Sequence, residues 1–212
     1  MPVVRELILG STSPFRKELL EALALAFQAA KPQADEKSVS GETPNEVAAA
    51  RARLKAESLA SDYPEALIIG GDQVLALDGI SFDKAETAAA AKERLQQLVA
   101  KEHTLHSALA LVYSDSEGKA HLAAADEQVA RLMMRSLSEE EIDAYVATGE
   151  WQGSVGCYKL EKRGVGLFDH IDGDSSTIIG LPLVLLTRMF FDLGVNYLTQ
   201  PKGPWEITLP SS

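Results

Sequence analysis

Apolar and polar positions along this chain alternate between two rhythms. Val3, Val4, Leu7, Ile8 and Leu9 form a short apolar run that predicts a strand, stopped by Gly10-Ser11-Thr12-Ser13-Pro14. A helical pattern follows, with Leu19, Leu20, Ala22, Leu23 and Phe27 on one side. Pro14 suits its first turn, where a missing N–H costs no hydrogen bond. Residues 30–41 are polar and turn-like. Thr43-Pro44-Asn45-Glu46 has the spacing of a capping box and opens a helix to about Ala60. Ala66 to Gly70 predicts a buried strand, interrupted at Gly71-Asp72-Gln73 and resumed at Val74 to Leu77, with a hairpin signal at Asp78-Gly79. A helix is expected over Glu86 to Val99, then strands over His106 to Tyr113 and His121 to Met134. Ser138-Glu139-Glu140-Glu141 is a second capping box, whose helix stops at Gly149. Val165 to Ile171 alternates as a strand, Leu181 to Leu193 reads as the last strong helix, and Tyr197 to Ser212 as a loosely held tail.

Strands and helices alternate first and adjacent strands dominate the middle, which predicts an α/β protein with a mixed sheet. The 212 residues suit one domain, or one domain with a lobe. A net charge of −11 argues against a protein that coats nucleic acid or anionic lipid with its whole surface, yet leaves room for a local cationic pocket. Cys157 is the single cysteine, so neither an internal disulfide nor a thiolate zinc cluster is available. No apolar run has membrane-spanning length, and the N-terminal patch is too short for a signal peptide. A soluble cytoplasmic protein is the expectation.

Chemistry has few places to sit. Gly10 to Lys17 joins a strand end to a helix start, where hydroxyls, free N–H groups and the helix dipole favour an anion, and Arg16 adds a bidentate fork. The plainer reading is an ordinary Ser/Thr cap with a surface arginine; the Gly-Lys-Ser/Thr ending of a P-loop is missing. Asp72, beside Gly70 and Gly71, is either a turn former or a carboxylate for a divalent cation or a water proton. Taken singly, Lys84 reads as a surface lysine, Lys55 as a stem lying along an apolar stripe, Glu36 as an ordinary loop carboxylate, Cys157 as a small buried residue, and His103 and His106 as structural. Together, an anion cradle, separated lysines and several carboxylates suit a polyphosphate held with a metal ion.

LILGSTSPFRKELLEAL, RARLKAESLA, LIIGGDQVLALDG, DKAETAAAAKERLQQLVAKEHTLHSALAL, GCYKLEKRGVGLFDHIDGD and IIGLPLVLL occur in this order, and together they resemble the Maf family of nucleotide pyrophosphatases over about residues 5–194. Phe15 between Pro14 and Arg16, Asp72-Gln73-Val74, and Glu161 resemble the subgroup acting on 7-methyl-GTP, rather than the dTTP/UTP subgroup. The resemblance implies an elongated molecule like the inosine triphosphatases, with a strongly twisted mixed sheet and a cleft between two lobes of one domain over residues 1–194, followed by a tail over 195–212. It implies phosphate binding by Ser11, Ser13 and Arg16, triphosphate contacts by Lys55 and Lys84, water activation or metal binding by Asp72, a looser metal role for Glu36, and base selection by Phe15, Gln73 and Glu161. Mg²⁺ or Mn²⁺ would be the cofactor, a nucleoside triphosphate the partner, and a homodimer is plausible by the same likeness. The remaining alternatives are a dTTP/UTP pyrophosphatase and a nucleotide-binding regulator of cell division without turnover. Two departures stand out: Lys84-Ala85 replaces the family's Lys-Pro, which frees the lysine's loop, and Ser154-Val155-Gly156-Cys157-Tyr158 replaces a more usual Ala-Gly-Ala-Tyr or Ala-Gly-Ser-Phe stretch.

Overall fold

A computed structural model describes residues 2–39 and 41–210. Its main sheet has seven strands: β2 (Glu6–Gly10), β3 (Gln28–Ala30), β4 (Ala66–Leu77), β5 (Ile80–Phe82), β6 (Glu102–Ser114), β7 (Ala120–Met134) and β8 (Phe168–Asp172). The order is β3-β2-β4-β6-β7-β8, with β5 folded back on β4. β2 pairs in parallel with both β3 and β4, whereas β4, β6, β7 and β8 pair antiparallel in turn, so the sheet is mixed as expected. The six helices among the described residues are α1 (Pro14–Glu21), α2 (Pro44–Glu57), α3 (Ala88–Leu98), α4 (Glu139–Ala147), α5 (Ser175–Ile179) and α6 (Leu183–Leu193).

Strand alternation sends successive β4 residues to opposite faces, and each face meets a different partner. Ile68 and Val74 face α2, whose inner residues Ala48, Ala52 and Ala56 are all small. The helix consequently lies very close to the strand. A Cβ on Gly70 would sit 2.0 Å from the Ala52 carbonyl oxygen, so only glycine fits there. Leu67 and Ile69 face the other way, into a core built on Leu185, Leu186, Met189 and Phe190 of α6. Beyond Asp72 a second core begins, joining Leu75 to Leu95 and Leu98 of α3, Leu105 and Leu132 of the long strands, and Ile142 and Tyr145 of α4. The central strands thus run through two cores, and a cleft opens where one gives way to the other.

Both capping boxes form as expected. Thr43 and Glu46 close the start of α2, and Ser138 and Glu141 the start of α4. Other expectations need correction. The first helix ends at Glu21, because the chain turns through a left-handed Ala24; Leu23 and Phe27 pack on the first core from outside the helix. Residues 28–30, read in part as a polar turn, add an edge strand beside β2. β4 passes through Gly71, Asp72 and Gln73 without interruption, since its pairing with β6 continues from Leu67 to Ala76. Residues 165–167, the start of the expected strand, belong to a 3-10 turn over Arg163–Leu167, and β8 starts only at Phe168. The described part of the expected tail is held in place. β9 (Trp205–Glu206) pairs with β1 (Val3–Val4), and Trp205 and Ile207 are buried in the first core. Among the described residues, no helix is long and apolar enough to cross a membrane.

Candidate active site

The cleft between the two cores has a volume of about 1230 Å³, and all ten residues singled out in the sequence line it: Ser11, Ser13, Phe15, Arg16, Glu36, Lys55, Asp72, Gln73, Lys84 and Glu161. One wall is the β2–α1 connection. Ser13 caps α1 by accepting a hydrogen bond from the Arg16 backbone N–H at 3.4 Å, and Ser11 Oγ accepts from the Ser13 N–H at 3.1 Å. The Arg16 side chain does not point away into solvent. Its Nε donates to the Gly180 carbonyl at 2.8 Å, where α5 ends on a left-handed glycine (φ 115°). Burial lowers the guanidinium pKa, while the carboxylates of Asp72 and Glu36 oppose that shift.

The floor is a buried charge cluster. Lys55 is 6% exposed and Asp72 7% exposed, so neither is the turn former or surface stem that each alone suggested. Lys55 Nζ lies 2.7 Å from Asp72 Oδ1 and 2.8 Å from Glu36 Oε2. The close approach of α2 to β4 at Gly70 brings the two charged side chains within reach, one strand step and one helix turn further on. Asp72 Oδ2 is buried with no hydrogen-bond partner. A buried carboxylate oxygen without a partner is costly unless a cation or proton donor reaches it. No group of three or more His, Cys, Asp or Glu side chains is placed to hold a metal among the described residues. The side chains here that could hold a divalent ion are Asp72, through Oδ2, and Glu36, with the ion's other oxygens coming from phosphate and water.

Gln73 faces the opposite side of β4. Its amide nitrogen lies 2.9 Å from Ser107 Oγ, 2.9 Å from the Thr177 carbonyl and 3.1 Å from the Ile178 carbonyl. The nitrogen is committed to α5, which leaves the side-chain oxygen as the acceptor. Helix α5, unmarked by any strong periodicity, is itself capped by Asp174 accepting from the Thr177 N–H at 2.9 Å.

Across the cleft, Lys84 makes no hydrogen bond or ion pair among the described residues. Burial lowers its pKa, and the neighbouring positive charges of Arg16 and Lys55 lower it further. Loss of the family's proline after it does not leave its loop unsupported. The Arg94 guanidinium lies 4.2 Å from the Phe82 ring centroid and donates to the carbonyls of Asp83 and Val155, both at 3.1 Å. Two basic residues on the cleft were not singled out from the sequence. Arg51 lies one turn before Lys55, a spacing that could have marked it. Lys159 sets its ammonium 4.8 Å from the centroid of the Phe15 ring, and no local motif signals that contact between distant segments. Glu161 is exposed on the cleft rim, two residues further on.

The family model described as "Maf-like protein" matches residues 6–193. Several curated relatives are named 7-methyl-GTP pyrophosphatase. That of Albidiferax ferrireducens is 37% identical over 93% of this chain and 98% of its own. That of Cupriavidus pinatubonensis is 40% identical over 90% and 94%, and that of Rhizobium johnstonii 40% identical over 89% and 96%. Among solved structures, a HAM1 protein from Coxiella burnetii matches with a TM-score of 0.40 at 18% identity, over 61% of this chain and 72% of that one.

Proposed function

The chain belongs to the Maf-like family, and we propose that its cleft hydrolyses 7-methyl-GTP to 7-methyl-GMP and pyrophosphate. The observation that carries this reading is the pairing of a buried acid, Asp72, with three cations, Arg16, Lys55 and Lys84, on one cleft. Phosphoryl transfer needs little else from a protein: charge stabilisation, positioning and an oriented nucleophile. The names and high coverage of the relatives support the substrate.

In this mechanism Ser11, Ser13 and Arg16 hold phosphate oxygens at the start of α1. Asp72 orients a water molecule and accepts its proton. The water oxygen bonds to a phosphorus flanking the α–β bridge and that phosphorus's bond to the bridging oxygen breaks; the electron pair leaves on pyrophosphate for attack at the α-phosphorus and on the monophosphate for attack at the β-phosphorus. Lys55 and Lys84 offset the negative charge that builds on the departing oxygens. Burial and the like charges of Arg16 and Lys55 lower the Lys84 pKa, and an arriving phosphate would oppose that shift. If Asp72 held a divalent ion with Glu36 in place of accepting the proton, the ion would supply further charge neutralisation. At the other end, the cationic methylated base would have to displace the Lys159 ammonium from the Phe15 ring or take its opposite face. The Gln73 oxygen and the Glu161 carboxylate offer acceptors for guanine N–H donors.

The test is product analysis of wild type and Asp72→Asn. Wild type is expected to release monophosphate and pyrophosphate in equal amounts. The variant should turn over about 10²–10⁴-fold more slowly, with far-UV circular dichroism unchanged. A variant that keeps full activity removes Asp72 from the mechanism.

A further inference from the structure

Arg51 is unaccounted for by the roles above, and its surroundings are unusual. It projects from α2 one turn before Lys55 and lines the same cleft. Its side chain is only 21% exposed, and its Nε is buried with no hydrogen-bond partner. Among the described residues, the group that meets the guanidinium is the Asp83 carboxylate, 3.4 Å from Nη1. That contact is long, and the Asp83 side chain is 86% exposed, so the pairing is weak and easily exchanged. A half-buried arginine that lines the cleft and is held by one long contact to an exposed carboxylate is a poor structural strap but can offer its guanidinium to phosphate oxygens. Its position adds direction. The α2 backbone at Lys55 lies near Gly10, where the Ser11–Arg16 wall begins. Arg51 is a turn further from that wall, and its partner Asp83 is the immediate neighbour of Lys84 on the opposite side.

We propose that Arg51 is a further anion-binding residue of this cleft, exchanging Asp83 for the outer phosphates of the triphosphate and holding the pyrophosphate as it leaves. The inference rests on the pyrophosphatase reading. It makes Asp83 a competitor that occupies Arg51 in the empty site and takes it back on product release.

The test uses inorganic pyrophosphate, both in calorimetric binding and as a product inhibitor of 7-methyl-GTP hydrolysis, with Arg51→Gln, Arg51→Lys and Asp83→Asn. Arg51→Gln should weaken pyrophosphate binding about tenfold or more, the loss expected for one charge-assisted contact, and raise KM more than it lowers kcat. Arg51→Lys should recover part of both. Asp83→Asn should do the opposite of Arg51→Gln, tightening pyrophosphate and lowering KM. If Asp83→Asn instead copies Arg51→Gln, the pair is a strap for the Lys84 loop and the proposal falls. Unchanged pyrophosphate affinity in Arg51→Gln also overturns it. Wild type that binds pyrophosphate but releases none from any triphosphate would refute the pyrophosphatase reading instead, a separate result.

Discussion

At the scale of single residues, burial decides what each ionisable group can do. Lys55 and Asp72 were the hardest residues to read in the sequence, because a lysine within a helix and an aspartate after two glycines both have common uses on a surface. Only tertiary packing removes them from water, and that packing gives them one another. His103 was legible as structural, and it is. Its Nε2 lies 2.8 Å from the Tyr158 hydroxyl in the second core, and burial depresses its pKa from 6.5 to about 4. The unfolded chain takes up a proton below pH 6.5, whereas the folded chain refuses it until about pH 4. Stability therefore falls as pH drops through that window, by at most about 1.4 kcal/mol per pH unit. His103→Gln cannot take up this proton, so its urea-unfolding free energy should lose less than wild type between pH 6.5 and 4.5. Parallel pH profiles for the two proteins would contradict the assignment.

At the scale of elements, capping chemistry and long apolar runs were readable, and interruptions were not. Thr43 and Ser138 mark their helices because cap and reciprocal carboxylate are local in sequence. Gly71-Asp72-Gln73 looked like a break because glycine and aspartate disfavour strands, yet pairing with β6 on one side and β2 near Gly70 on the other overrides that preference. β3 and α5 are three and five residues long, too short for a period to show. Gly70 illustrates the same limit: its need for glycine comes from Ala52 across the interface, not from its own dihedral angles. Gly70→Ala should force α2 away from β4, costing about 1–3 kcal/mol or more. The same displacement should pull Lys55 from Asp72, so activity should fall further than the lost folded fraction accounts for. A variant with wild-type urea midpoint and wild-type rate would contradict the close-packing argument.

At the scale of the whole molecule, the fold is a device for bringing two differently made walls together. One core supports the hydroxyl and arginine wall at the start of α1, and the other supports the Lys84 loop and the segment carrying Lys159 and Glu161. That all ten candidate residues meet on one cleft was legible only through resemblance, since their separations in sequence reach from Ser11 to Glu161 and no local rule joins them. The net charge of −11 is compatible with anion binding because Arg16, Arg51, Lys55, Lys84 and Lys159 gather on one cleft, even though acidic side chains line it too. The central claim concerns the base that this cleft selects. It is tested most directly by measuring kcat/KM for pyrophosphate release from 7-methyl-GTP, GTP, dTTP and UTP with Mg²⁺ present, for wild type and Glu161→Gln. The account predicts that wild type strongly prefers 7-methyl-GTP and that Glu161→Gln narrows the preference by about tenfold, the loss of one charged acceptor. Faster release from dTTP or UTP than from 7-methyl-GTP, or selectivity unmoved by Glu161→Gln, would contradict it.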